Sequence, residues 1–217
     1  MPPATAKTKS GKTTKAPSTK VDTRQLILAE ALTQFSSVGF EGMTTRGLAD
    51  ACGINHSLIA YHYGNKLELW KAVMNGLFNP YRDNVQQRLA GLGDLEPEIA
   101  VKLIIRDFVV FCSVRPELHR IMTIEGRAGT DRLEWLVENH LRHLYADISR
   151  QITAAQASGK IHAGNPAQLY YAIIALAGNH FSLAPEYELV TGLPAHTDAA
   201  IEETIKLINR VMFIEPA

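Results

Sequence analysis

Residues 44–63, TTRGLADACGINHSLIAYHY, decide the fold. Two short runs with helical spacing meet at one glycine. In the first run Thr44 or Thr45 can cap the start, and Leu48, Ala49 and Cys52 share a face. Gly53 ends it, because a tight reversal needs the left-handed backbone that glycine adopts without a Cβ penalty. Only Ile54 and Asn55 intervene before HSLIAYHY, which Asn55 can cap. Ile54, Ile59 and Tyr63 then point inward, which leaves His56, Ser57, Leu58, Ala60 and Tyr61 facing outward. Two short helices across a tight, glycine-containing turn form the helix-turn-helix pattern.

The flanking sequence supplies what this pair needs to pack on. Ile27, Ala31, Phe35 and Val38 recur at helical steps, which predicts a helix from Asp22 or Thr23 to a stop at Gly39. Ile54 and Ile59 anchor the pair under Phe35 and Leu48. Downstream of Gly64, Asn65 with Glu68 three residues on resembles a capping box for KLELWKAVMNGLF. Beyond Pro80 the reading stays helical, through YRDNVQQRLAGL to a loop, GLGDLEPE. Pro97, Pro116 and Pro166 each suit the first turn of a further helix. A long amphipathic helix spans DRLEWLVENHLRHLYADISRQITAAQASGK. A loop is expected around Pro185, Gly192 and Pro194, and Asp198 is expected to cap AAIEETIKLINRVMF. No stretch alternates as a strand does, and no repeat stands out. The expectation is an all-α protein of about nine helices, with a three-helix head on a helical body.

Composition bounds the rest. A chain of 217 residues, 46% hydrophobic and 20% charged, has ample material for a core, and is neither a disordered chain, a fibre nor a disulfide miniprotein. Two cysteines make no disulfide framework, and no apolar stretch follows the basic start, so the expected location is the cytoplasm. The most apolar run, LYYAIIALAG, is far short of the roughly 20 residues a membrane span needs. The net charge of zero hides an asymmetry. Residues 1–71 hold nine Lys or Arg against five acids, and residues 72–217 hold 13 against 17. Residues 1–21 carry no acid and little apolar surface, and read as a disordered basic arm. A basic head on an acidic body suits a polyanionic partner.

The outward face of residues 56–61 sharpens that partner. An exposed Leu and Tyr make poor surface unless something covers them, and a DNA major groove offers thymine methyls and phosphates. In such a pair the first helix crosses the backbone and the second enters the groove. Residues 23–70 resemble the DNA-binding head of the tetracycline-repressor (TetR) family, through ILAEALTQFSSVGFEGMTTRGLADACGI and YHYGNKLEL. One departure is Ala60, where the family often has Tyr, with Tyr61 beside it.

The resemblance implies double-stranded DNA as partner, a palindromic operator, and a role for each matching residue. Thr44 and Thr45, at the start of the crossing helix, would meet phosphate. Arg46 would reach a guanine edge or a phosphate. Asn55, His56, Ser57 and Leu58 would lie at the reading end of the second helix, with Asn55 equally suited to be a cap only. Tyr61 and His62 would touch phosphate or sugar, and Lys66 would bind phosphate with the dipole of its helix. The implied domains are the arm at 1–21, the helix-turn-helix domain at 22–70 and an effector-binding and dimerisation domain at 71–217.

For the body, the resemblance implies a small, mostly apolar effector, with no cofactor. Phe108, Phe111, Met122, Trp135 and Tyr171 are the aromatic and apolar candidates, and Asn179 and His180 interrupt a strongly apolar helix, where a buried polar group needs a partner. Glu125 follows an apolar run and His140, His143 and Asp147 share a helical face, but one helix rarely closes a metal site, so no metal is expected. A homodimer through the last two helices is expected, from LYYAIIALAGNHF and the stripe Ile201, Ile205, Ile208 and Met212. There is no phosphate loop, dinucleotide fingerprint or nucleophile elbow, which argues against an enzyme. The leading expectation is a ligand-responsive repressor. The alternatives are a helical enzyme or ligand carrier with a basic head, and a nucleoid-type binder with no effector.

Overall fold

The computed structural model describes residues 22–91 and 96–214. The expected basic arm, residues 1–21, lies outside them. Ten helices cover the described residues, and the only β contact among these is one antiparallel bridge between Ile161 and Phe213.

Helix α1 (Thr23–Gly42) starts at Asp22, whose carboxylate accepts the Arg24 N–H at 3.0 Å. The stop expected at Gly39 is instead a kink, and the helix runs on to Gly42. Helix α2 (Thr45–Cys52) is capped by Thr44, and Gly53 turns the chain in the left-handed conformation, φ 63° and ψ 34°. Helix α3 (His56–Tyr63) follows at once. Ile59 and Tyr63 are buried as expected, but Leu58 is half-buried rather than fully outward.

Helix α4 (Lys66–Gly91) runs through Pro80 and joins the two helical stretches read on either side of it. Pro80 and Gly76, four residues before it, are both exposed, so the carbonyl that loses its hydrogen bond faces water. The opposite face buries Val73, Met74, Leu77, Phe78, Tyr81 and Val85 without interruption. The domain boundary expected at residues 70 and 71 therefore falls inside one helix.

Helices α5 (Pro97–Val114), α6 (Pro116–Ala128) and α8 (Pro166–Ser182) start at prolines as read. Helix α7 runs Asp131–Leu136, passes through a π-helical turn at Val137–Leu141, and continues as Arg142–Ala157. The loop expected after Ser182 contains a helix, α9 (Ala184–Thr191), because Pro185 falls in its first turn, where a missing N–H costs nothing. Helix α10 (Asp198–Met212) is capped by Thr197, not Asp198, with the threonine hydroxyl accepting the Ala200 N–H.

Two hydrophobic clusters hold the fold. One joins the head to the body through Phe35, Leu48, Ile59 and Trp70 with Ile121 and Leu136. The other fills the body, with Val101, Ile105, Ile152, Phe181 and Ile208. Leu89 and Phe108 pack against both. The stripe expected to form a dimer face turns inward: Ile205, Ile208 and Met212 are buried in this second cluster.

Candidate nucleic-acid interface and body cavity

The turn at Gly53 brings the first residues of α2 and α3 together. Thr45 Oγ1 and His56 Nε2 are hydrogen-bonded at 2.9 Å, which ties the two helix starts. Thr44 accepts the Gly47 N–H, and Asn55 accepts both the Ser57 N–H and the Ser57 hydroxyl. Asn55 is therefore a cap in this structure, one of the two roles expected of it. Tyr63 fixes α3 from below, donating its hydroxyl to the Arg24 carbonyl at 2.7 Å. This tie crosses 39 residues of sequence, and no local spacing announces it.

Of the ten predicted contact residues, Thr44, Thr45, His56 and Lys66 line one shallow hollow, with Glu41, Met43 and Asn65. The N-termini of α2 and α4 both open there, and N-terminal N–H groups with a lysine suit a phosphate. The Lys66 ammonium sits 4.5 Å from the centroid of the Phe40 ring. Arg46, Ser57 and Tyr61 stand outside the hollow on exposed surface. Tyr61 is 81% exposed, edge-on to the half-buried His62.

The body holds a partly open cavity of about 590 Å³ between α4, α5, α6, α7 and α8. Phe108, Phe111, Met122 and Tyr171 line it. Trp135, Asn179 and His180 do not. Trp135 packs edge-on against Trp70, and Asn179 faces solvent. His180 bonds Thr204 instead, with burial and then the charge of His196 holding its imidazole below the ordinary range. The cavity-facing side of α8 carries Tyr170, Ile173 and Ile174, more than a turn away from Asn179. Sequence reading missed the polar members, Tyr81, Cys112, Arg115, His119 and Tyr170, because they converge from four parts of the chain. Burial pushes the Tyr81 phenol well up, and lifts the Cys112 thiol and the Tyr170 phenol to about 12. All three are neutral hydrogen-bond donors at physiological pH. A Cβ on Gly178 would fall 2.5 Å from His119 Nδ1, so glycine lets α8 close on that ring.

One ion-pair joint links the two regions. Glu125 of α6, 1% exposed, pairs with Arg132 Nε at 3.1 Å. The same guanidinium reaches Glu41 at 3.3 Å and lies 4.0 Å over the Phe40 ring, both at the end of α1. Among the described residues no group of three His, Cys, Asp or Glu side chains could hold a metal ion. His140 is buried against Phe78 and Trp135, while His143 is exposed. No described helix is long and apolar enough to cross a membrane.

Residues 27–73 match the family model for bacterial regulatory proteins of the tetR family. Over 203 residues the chain is 26% identical to the HTH-type transcriptional regulator RutR of Escherichia coli, covering 94% of this chain and 93% of that protein. The head of the chain, over residues 27–73, is thus similar to the DNA-binding domain of tetR-family regulators. It is a DNA-binding transcriptional regulator, not an enzyme. Solved regulators share the fold over most of the chain. The ketosteroid transcriptional regulator KstR2 of Mycobacterium tuberculosis superposes with a TM-score of 0.72 at 14% identity, over 89% of this chain and 96% of its own. AibR, solved in complex with isovaleryl coenzyme A and operator DNA, gives 0.63 at 14% identity, over 88% and 98%.

Proposed function

We propose that this protein is a cytoplasmic, homodimeric repressor of the TetR family that leaves a palindromic operator when a small, mostly apolar effector enters the body cavity. The observation that carries the reading is the bare face of α3, where Tyr61, 81% exposed, follows the exposed Ser57 by one helical turn. Residues 22–70 are the reading head and 71–217 the effector-binding and dimerising body, joined by the continuous α4. Thr44, Thr45, His56 and Lys66 meet phosphates around their common hollow. Arg46, Ser57 and Tyr61 reach the groove, where Arg46 reads a guanine edge. Leu58 and His62 contribute from their half-buried positions, and Asn55 acts first as the cap of α3. Phe108, Phe111, Met122 and Tyr171 form the apolar wall of the effector site. AibR, a protein of similar fold, was solved with an acyl thioester and with operator DNA, which agrees with one fold serving both partners.

Dimerisation uses the outer rather than the inner face of α10, with the neighbouring surface of α8. Leu207 and Val211 are 48% and 47% exposed and lie one helical turn apart. Selection of bound sequences from a random DNA pool tests the operator reading, since it returns both the motif and the half-site spacing. An inverted repeat is expected. For the dimer, Leu207→Glu with Val211→Glu should give a folded monomer by light scattering, and a variant that stays dimeric removes this face from the account.

A further inference from the structure

We propose that the body cavity selects an organic anion: an apolar or aromatic body ending in a carboxylate or a comparable acidic group, held at Arg115. The inference rests on the reading of the cavity as the effector site, and adds the chemical class of what it takes.

The argument starts from charge. Five helices supply the lining, and no Asp or Glu is part of it. Arg115, His119 and Arg142 are. Arg142 has a carboxylate of its own, Glu138, at 2.6 Å. Arg115 sits at the junction of α5 and α6, exposed, and no side-chain hydrogen bond or ion pair engages it among the described residues. A guanidinium at the rim of an otherwise apolar chamber is matched by an anionic end on a molecule whose remainder fills the chamber. Its fork also fits a two-oxygen acid better than a single hydroxyl.

The neutral polar groups point the same way. Tyr81 and Tyr170 face the cavity, and neither phenol has a protein hydrogen-bond partner among the described residues. Cys112 and Tyr170 are close enough to Tyr81 to oppose its ionisation. All three stay protonated, so they can donate to an anion and do not repel it. Among side-chain hydrogen-bonding groups of the lining, donors therefore outnumber committed acceptors, which favours an acceptor-rich ligand end. A fully neutral, apolar ligand would leave the Tyr81 and Tyr170 hydroxyls without partners beneath it and make no use of the guanidinium at the rim.

Two dyes of one skeleton test this: 1-anilinonaphthalene-8-sulfonate, an organic anion, and N-phenyl-1-naphthylamine, which lacks the sulfonate. Fluorescence titrations use the full chain, Arg115→Leu, Arg115→Lys and Gly126→Trp. Gly126 lines the cavity and nothing lies within 4 Å of a Cβ built there, so the tryptophan blocks the chamber without a backbone clash. The expected result is that the sulfonate binds at least about tenfold tighter than the neutral dye. Arg115→Leu should remove that preference while changing neutral-dye binding less than about threefold. Arg115→Lys should keep part of it, and Gly126→Trp should exclude both dyes. Equal binding of the two dyes, no binding of either, sulfonate binding unaffected by Arg115→Leu, or dyes that bind regardless of Gly126→Trp each overturn the proposal. Labelled operator DNA in the same titrations separates it from the effector reading. If the anion binds at Arg115 and no bound anion alters DNA affinity, the effector reading fails and this one stands. If the neutral dye alone releases DNA, the reverse holds.

Discussion

The head and the body of this regulator are built from the same helices and show their functions very differently. In the head, the proposed contacts lie on and beside two eight-residue helices, all of them between Thr44 and Lys66. In the body, the proposed effector site is a space lined by five helices, whose polar members run from Tyr81 to Tyr171. The head is read by asking which side chains are left outside. The body is read only once the chain has closed around the cavity. The two share a core through α4 and an electrostatic joint at Arg132, so they are different sites on one packed unit.

The joint gives the largest expected effect. Arg132→Met strands the Glu125 carboxylate in the core, and should cost about 3–5 kcal/mol in urea unfolding. The exposed pair Arg106–Glu202 is the control, since Arg106→Met should cost less than about 1 kcal/mol. If both variants unfold alike, the head and body are not coupled through Arg132. Next comes Arg46→Ala, expected to weaken the cognate operator by about 1–3 kcal/mol and relax one position per half-site. Equal weakening on a scrambled duplex would make Arg46 a phosphate contact, and blur the division between reading and positioning.

His140 offers a test inside the body. It is buried in the π-helical turn, with no partner for either ring nitrogen among the described residues, stacked on Phe78. His140→Phe should therefore stabilise the protein by about 1–2 kcal/mol. Burial holds His119, His140 and His180 below the ordinary imidazole value of 6.5. As pH falls through 6.5 the unfolded chain takes up protons that the fold refuses, so stability declines, and it levels off below the folded values. The decline in Tm between pH 7 and 5 should be smaller in His140→Phe than in the parent. An unchanged slope would mean that this ring is not held neutral. The smallest effect is expected from the arm. Removing residues 1–20, with five lysines and no acid, should flatten the dependence of log affinity on log salt and leave the preferred sequence unchanged.

Local chemistry made the head legible. Thr44, Gly53, Asn55 and Asn65 each act within three residues of themselves, and each was readable as a cap or turn. The prolines at 97, 116 and 166 were readable for the same reason. Pro185 was not, because Gly192 and Pro194 nearby made the whole stretch look like a loop. That the helical stretches on either side of Pro80 are one helix was not readable, because propensity cannot tell that the broken hydrogen bond faces water. In α10 the apolar stripe was found but its side was not: Ile205 and Ile208 meet their own chain, and Leu207 and Val211 face out. Asn179 and His180 were singled out as polar residues in an apolar helix, yet one faces solvent and the other is satisfied by Thr204. The polar groups that do reach the cavity, Arg115 and His119 among them, look ordinary in sequence.

The central claim is that α3 reads DNA with its outward face. Fluorescence anisotropy of a labelled operator duplex, as recovered by random-pool selection, tests it with the double variant Ser57→Ala and Tyr61→Ala. Both residues are exposed, so folding stability should change little. The account predicts at least about a tenfold loss of operator affinity, with a much smaller loss on a scrambled duplex. Undiminished operator binding by this folded variant would contradict it.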